Sequence, residues 1–124
     1  MRILIVDDIF TNRLLLSELL RNLEMEYDEA ENGKEALEAM AHKKYDIILM
    51  DIEMPVMNGL ETTRHIRTQM NWPVNNTFIV ALTAHDPELF FEDYRGVGFN
   101  ELLTKPYSLE KIASIIARVG EGKD

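Results

Sequence analysis

The segment Ile47-Ile48-Leu49-Met50-Asp51-Ile52-Glu53-Met54-Pro55-Val56-Met57-Asn58-Gly59 changes character at a single acid. Four apolar residues without polar alternation predict a strand covered on both faces, and the run stops at Asp51. Pro55 and Asn58-Gly59 then punctuate a loop. Leu60, Thr63 and Arg67 are expected on one side of the helix that follows. Asp51 thus falls at the carboxyl end of a strand, where open parallel sheets bind their ligands.

The same unit recurs in both directions. Upstream, Ile3-Leu4-Ile5-Val6 is a second buried run, and Leu16, Leu19, Leu20 and Leu23 follow at helical spacing. Met25 to Ala30 is the weakest strand pattern and reads as an edge. Asn32-Gly33 turns the chain, and Ala36, Leu37 and Met40 mark the next helix. Downstream, the polar connector Asn71 to Asn76 leads to the run Phe78-Ile79-Val80-Ala81-Leu82. A helix is expected over Pro87 to Tyr94, with the least regular apolar stripe, ended by Gly96 and Gly98. Leu102-Leu103 is a brief last strand, and Leu109, Ile112, Ala113 and Ile116 a clear closing helix. Strands alternating with helices predict one doubly wound α/β domain over residues 1–124. Its five parallel strands would be joined by right-handed crossovers.

Thirteen basic residues against 22 acidic ones leave a net charge of −9, with no cluster of Lys and Arg. Direct binding to nucleic acid is therefore not expected. No apolar run is long enough to span a bilayer, and residues 2–6 are too short for a signal peptide. A cytoplasmic protein with no membrane partner is the expectation. The lack of cysteine agrees with a reducing compartment but excludes only disulfides and thiolate chemistry. The acidity fits a solvated surface, or acids converging on a cation. Position decides between them.

Asp7 and Asp8 end the first run, Asp51 the second, Thr83 the third, and Lys105 follows the last. Taken singly, each has a plainer explanation. An acid after a strand caps a helix at odds of about two to one over catalysis. Thr83 could cap a helix near His85, and Lys105 could be an exposed lysine before a strand-stopping Pro106. Their convergence carries the case: four strands expected to be buried each bring a reactive group to one rim. Clustered carboxylates repel and need a cation. All-oxygen ligation suits Mg²⁺, with Mn²⁺ also acceptable. A carboxylate can attack phosphorus to give an acyl phosphate, and phosphoryl transfer asks chiefly for positioning and charge neutralisation.

Ile5-Val6-Asp7-Asp8, the segment Asp51 to Gly59, Ala81-Leu82-Thr83-Ala84 and Leu103-Thr104-Lys105-Pro106 resemble the blocks of response-regulator receiver domains, in order and spacing. The loop after Asp51 and the ending at Pro106 look most like receivers of hybrid sensor kinases and phosphorelays. The resemblance covers essentially the whole chain. It implies a flavodoxin-like (βα)5 fold with strand order 2-1-3-4-5. It implies Asp51 as phospho-acceptor, Asp8 as a direct metal ligand, Asp7 acting through metal-bound water, and the Glu53 backbone carbonyl completing the protein ligands. Thr83 and Lys105 would each meet a phosphoryl oxygen. The donor would be a phosphohistidine on a histidine kinase or histidine phosphotransfer protein, or a small acyl phosphate, and a downstream protein would read the switch.

Two departures from the family pattern matter. Ile9 stands where a polar capping residue is usual, and Leu102 where the switch aromatic is usual, so the coupling from Thr83 to that position is expected to be weak. Phe99, Tyr107, His42, His65 and His85 have ordinary packing or surface explanations. Glu53, two residues after Asp51, keeps open an aspartyl-phosphate hydrolase; a degenerate receiver serving as a constitutive interaction module is the third reading. A flavodoxin-like cofactor carrier is disfavoured, because no hydroxyl- and glycine-rich loop follows the first strand.

Overall fold

The computed structural model describes residues 1–84, 96–106 and 108–122. Five strands, β1 (Arg2–Val6), β2 (Glu26–Ala30), β3 (Ile47–Asp51), β4 (Phe78–Thr83) and β5 (Glu101–Thr104), form one sheet. All pairings are parallel and the order is β2-β1-β3-β4-β5. Among the described residues four α-helices accompany them: α1 (Phe10–Asn22), α2 (Gly33–His42), α3 (Gly59–Gln69) and α4 (Leu109–Glu121). A short 3-10 turn spans Val74–Asn76. The helix expected over Pro87 to Tyr94, and with it His85, lies outside the described residues, as does Tyr107.

The continuous apolar strands have the cause inferred from sequence: successive residues enter two separate cores. Ile3, Ile5, Ile47, Leu49, Val80 and Leu82 face Leu16 and Leu20 of α1 and Ile112, Ile115 and Ile116 of α4. Leu4, Val6, Ile48, Met50 and Ile79 face Ala36 and Met40 of α2 and Ile66 of α3. Helix starts are set by local chemistry. Asn32 and Ser108 cap α2 and α4, and Asn58 forms a reciprocal capping box with Glu61 at α3. Ile9 offers α1 no side-chain cap.

Two expectations are corrected. The inward face of α3 is Gly59, Thr62, Thr63 and Ile66 rather than Leu60, Thr63 and Arg67. Three small polar or glycine positions hid that stripe from a hydrophobicity reading. Second, the strand that leads to Lys105 is not a buried one: β5 is an edge, and only Leu103 in it is buried. Leu102 is half-buried and lies opposite Ala81 of β4.

At the end of the sheet away from Asp51, Arg67 ties three segments together. Its guanidinium donates twice to the Gly98 carbonyl (2.9 and 2.7 Å), and to the carbonyls of Asn75 (2.9 Å) and Thr77 (2.8 Å). A further bond reaches Asn100 Oδ1 (2.9 Å), which also accepts the Ile79 amide. Gly98 has φ +115°, and a Cβ there would meet the Arg67 stem at 2.8 Å, so the clamp requires glycine.

Candidate functional site

At the opposite rim the strands release their polar residues together. The chain leaves β1 at Asp7, whose amide still pairs with the Ala30 carbonyl of β2 (3.1 Å). Asp7 is fully buried. Its Oδ1 accepts the Ile9 amide (2.9 Å) and its Oδ2 accepts Asn12 Nδ2 (3.2 Å). Asp7 thus holds the Ile9 amide at the entry to α1, so helix entry and site chemistry share one residue. Asp8, the next residue, is exposed. Asp51 is the last residue of β3 and only 1% exposed. Carboxylate oxygens of Asp7, Asp8 and Asp51 all lie within 4.8 Å of one another.

Lys105 reaches the cluster from the far side. Thr83 and Thr104 are paired in register between β4 and β5, and the Lys105 amide bonds to the Thr83 carbonyl (2.6 Å). That pairing puts the Lys105 ammonium 2.9 Å from Asp51 Oδ1 and 4.0 Å from Asp7 Oδ2. Thr83 is fully buried beside it. Glu53 turns its side chain to solvent, while its backbone amide bonds the Asp51 carboxylate.

The electrostatics follow from this crowding. Burial pushes the Asp51 carboxyl up from 3.8 to about 6; the Asp7 charge adds to that, and the bond from Lys105 opposes it. Among the described residues one ammonium faces the three carboxylates and does not neutralise them. The oxygen-only donor set therefore fits a hard divalent cation.

The loop beyond Asp51 is held tightly. Gly59 donates to the Ile52 carbonyl (2.9 Å), and a Cβ on Gly59 would collide with the Asp51 carbonyl oxygen and stand 2.8 Å from Ile52 Cα. Between them Met57 bonds back to the Pro55 carbonyl (2.8 Å) across Val56, which has φ +71°. A β-branched residue in that region is strained.

The sequence profile of the response regulator receiver domain family matches residues 3–117. The chain belongs to this family. Solved relatives share the fold. The receiver is 38% identical over 126 residues to hybrid signal transduction histidine kinase E of Dictyostelium discoideum, a match covering 98% of this chain and 7% of that protein. It superposes with TM-score 0.85 on the receiver domain of sensor histidine kinase PA1611 from Pseudomonas aeruginosa, at 32% identity over 96% of this chain and 97% of the other. That structure has a magnesium ion coordinated in its active-site cleft. A chain of the Saccharomyces cerevisiae complex between the histidine phosphotransfer protein Ypd1 and the receiver domain of Ssk1 matches at 29% identity and TM-score 0.86, covering 97% and 88%. The chain is thus a receiver domain of two-component and phosphorelay signalling, a module controlled by phosphorylation. No helix among the described residues is long and apolar enough to cross a membrane.

Sequence reasoning named Asp7, Asp8, Asp51, Thr83 and Lys105, and the fold brings all five to one rim. It missed Asn12 and Arg13, which hold Asp7 from α1. Arg13 lies three residues before Leu16, on the buried stripe of α1. A charge on an apolar stripe was the available signal.

Proposed function

We propose that the receiver accepts one phosphoryl group on Asp51, with Mg²⁺ (or Mn²⁺) held by Asp7, Asp8 and Asp51. The observation that carries this reading is the Asp51 carboxylate itself: buried, crowded by Asp7 and Asp8, and contacted at one oxygen by Lys105. Asp8, being exposed, is free to reach a cation directly, whereas the Asp7 oxygens are already engaged and suit a contact through water. The Glu53 carbonyl is the remaining protein ligand. When bound, the cation neutralises charge on the carboxylates and the entering phosphoryl oxygens.

The donor is a phosphohistidine of a histidine kinase or histidine phosphotransfer protein, or a small acyl phosphate. An Asp51 oxygen attacks phosphorus, the bond from phosphorus to the donor breaks, and the donor atom leaves with the electron pair. Lys105 moves its ammonium from Asp51 Oδ1 toward a phosphoryl oxygen, and the Thr83 hydroxyl donates to another. These shifts alter the face that a downstream protein reads. Leu102 at the edge strand has no hydroxyl with which to report the movement of Thr83, so the coupling there is weak. Ile9 and Phe10, exposed directly after the acid pair (48% and 64%), give the rim an apolar border suited to a protein donor. A cysteine-free chain suits the cytoplasm.

Incubation with acetyl phosphate and Mg²⁺, followed by intact-mass measurement, should show one added phosphoryl group. Asp51→Asn should show none. An equal gain by Asp51→Asn would place the acceptor elsewhere, and no gain by the parent chain would favour a degenerate receiver.

A further inference from the structure

The two adjacent acids share one peptide unit, and one side chain fixes how that unit is turned. Arg13 of α1 is 8% exposed, and its Nη1 donates to the Asp7 backbone carbonyl at 2.7 Å, a bond buried from solvent. We propose that Arg13 is a positioning residue for the cation site, acting through that carbonyl to hold the carboxylates of Asp7 and Asp8 in one arrangement toward Asp51. The inference rests on the metal reading given above.

Peptide planarity couples the two side chains. The Asp7 carbonyl and the Asp8 amide lie in one rigid plane, so holding the carbonyl sets both ψ of Asp7 and φ of Asp8. Those angles decide where two consecutive side chains point. Here the demand is unusual, since Asp7 must point into the protein and Asp8 outward while both keep an oxygen within 4.8 Å of Asp51. Asn12, one residue earlier on α1, holds the Asp7 carboxylate (3.2 Å). Side chain and backbone of Asp7 are thus gripped from the same helix turn.

The other Arg13 contacts account for how a guanidinium can stand so near an acidic site without competing for it. Nε bonds Glu29 Oε1 at 3.2 Å, and Nη2 lies 3.6 Å from Glu31 Oε1, both at the end of β2. The carboxylates of Glu29 in β2 and of Glu31 just after it thus balance its charge. The Phe10 ring lies over the guanidinium at 5.8 Å. Glu31 is largely solvated and Glu29 partly so, which screens both pairs. The buried bond to the Asp7 carbonyl is the contact with consequences for the site.

The test compares Mg²⁺ dissociation constants by isothermal titration calorimetry for the parent chain, Arg13→Ala, Arg13→Lys and Arg67→Ala, with folding checked by circular dichroism. Arg67→Ala is the control, because that clamp lies at the far end of the sheet and its loss weakens the fold without touching the acids. Arg13→Ala should bind Mg²⁺ about tenfold more weakly, the scale for losing a group that orients a ligand. Arg13→Lys should fall between, since an ammonium can serve the carbonyl or Glu29 but lacks the fork to serve both. It carries the test alone if Arg13→Ala does not fold. Arg67→Ala should stay within twofold of the parent. Parent-like affinity in a folded Arg13→Ala, or in Arg13→Lys where it stands alone, would overturn the positioning role and leave the metal reading intact. An equal loss in Arg67→Ala would also overturn it, by showing that any weakening of the fold has the same effect. A parent chain that binds no Mg²⁺ would remove the metal reading and this inference with it.

Discussion

The two ends of the sheet treat charge in opposite ways. At one end, Arg67 is a cation surrounded by neutral acceptors, and its donors reach three backbone carbonyls and an amide oxygen. At the other, three carboxylates meet one ammonium, and the Asp51 carboxyl is pushed up to about 6. The first arrangement is closed: it stabilises the fold by itself. The second is open, and gains stability only when something positive arrives. A strained Val56 sits in the loop beside the open end, whereas Gly98 at the closed end adopts its positive φ at little cost.

Substitutions at the two ends should therefore differ in sign. Arg67→Ala has the largest expected effect. It leaves the carbonyls of Asn75, Thr77 and Gly98 without their donor and should destabilise by about 3 kcal/mol in urea melts. A loss below about 1 kcal/mol would show that water replaces the clamp, and the contrast would weaken. Asp8→Ala should act the other way, raising stability in chelator by about 1 kcal/mol as one like charge leaves the cluster. The gain is modest because Asp8 is exposed. The same variant should bind Mg²⁺ more weakly than Asp7→Ala does. The smallest effect is expected for Val56→Gly, a gain of about 0.5 kcal/mol in the same melts, because relief of the positive φ is partly offset by a looser unfolded chain. A loss of stability there would mean that the Val56 backbone is not strained.

The fold was legible because apolar runs covered on both faces stand out from amphipathic stretches, and because four of the five strands lead to a reactive residue. Residue type and position sufficed to name Asp7, Asp8, Asp51, Thr83 and Lys105. Features resting on small or polar residues stayed hidden. The inward face of α3 uses Gly59, Thr62 and Thr63, which carry no hydrophobic signature. Arg67 looked like part of that face but works beyond the end of the helix. Arg13 left one trace, a charge on the apolar stripe of α1, but its action through a backbone carbonyl is something no side-chain pattern reports. The edge position of β5 was already contained in the strand order that the family resemblance implied, whereas its apolar Leu102-Leu103 pair alone read as a buried strand.

The claim that the acidic rim is assembled against its own stability, to receive a cation, is tested most directly on Asp51→Asn. The folded state raises this carboxyl above its ordinary 3.8, so it binds the proton more tightly than the unfolded chain does. The ionised group therefore costs stability, on the order of 2 kcal/mol, above about pH 6, and the cost disappears as pH falls through that value toward 3.8. Urea melts of the parent and Asp51→Asn should be run from pH 7.5 to pH 4, in chelator and in saturating Mg²⁺. In chelator Asp51→Asn should be the more stable at pH 7.5, and its advantage should fade toward pH 4. In Mg²⁺ at pH 7.5 the order should reverse, because only the parent retains all three carboxylates. An Asp51→Asn variant that is less stable in chelator at pH 7.5, or whose difference from the parent ignores both pH and Mg²⁺, would contradict the account.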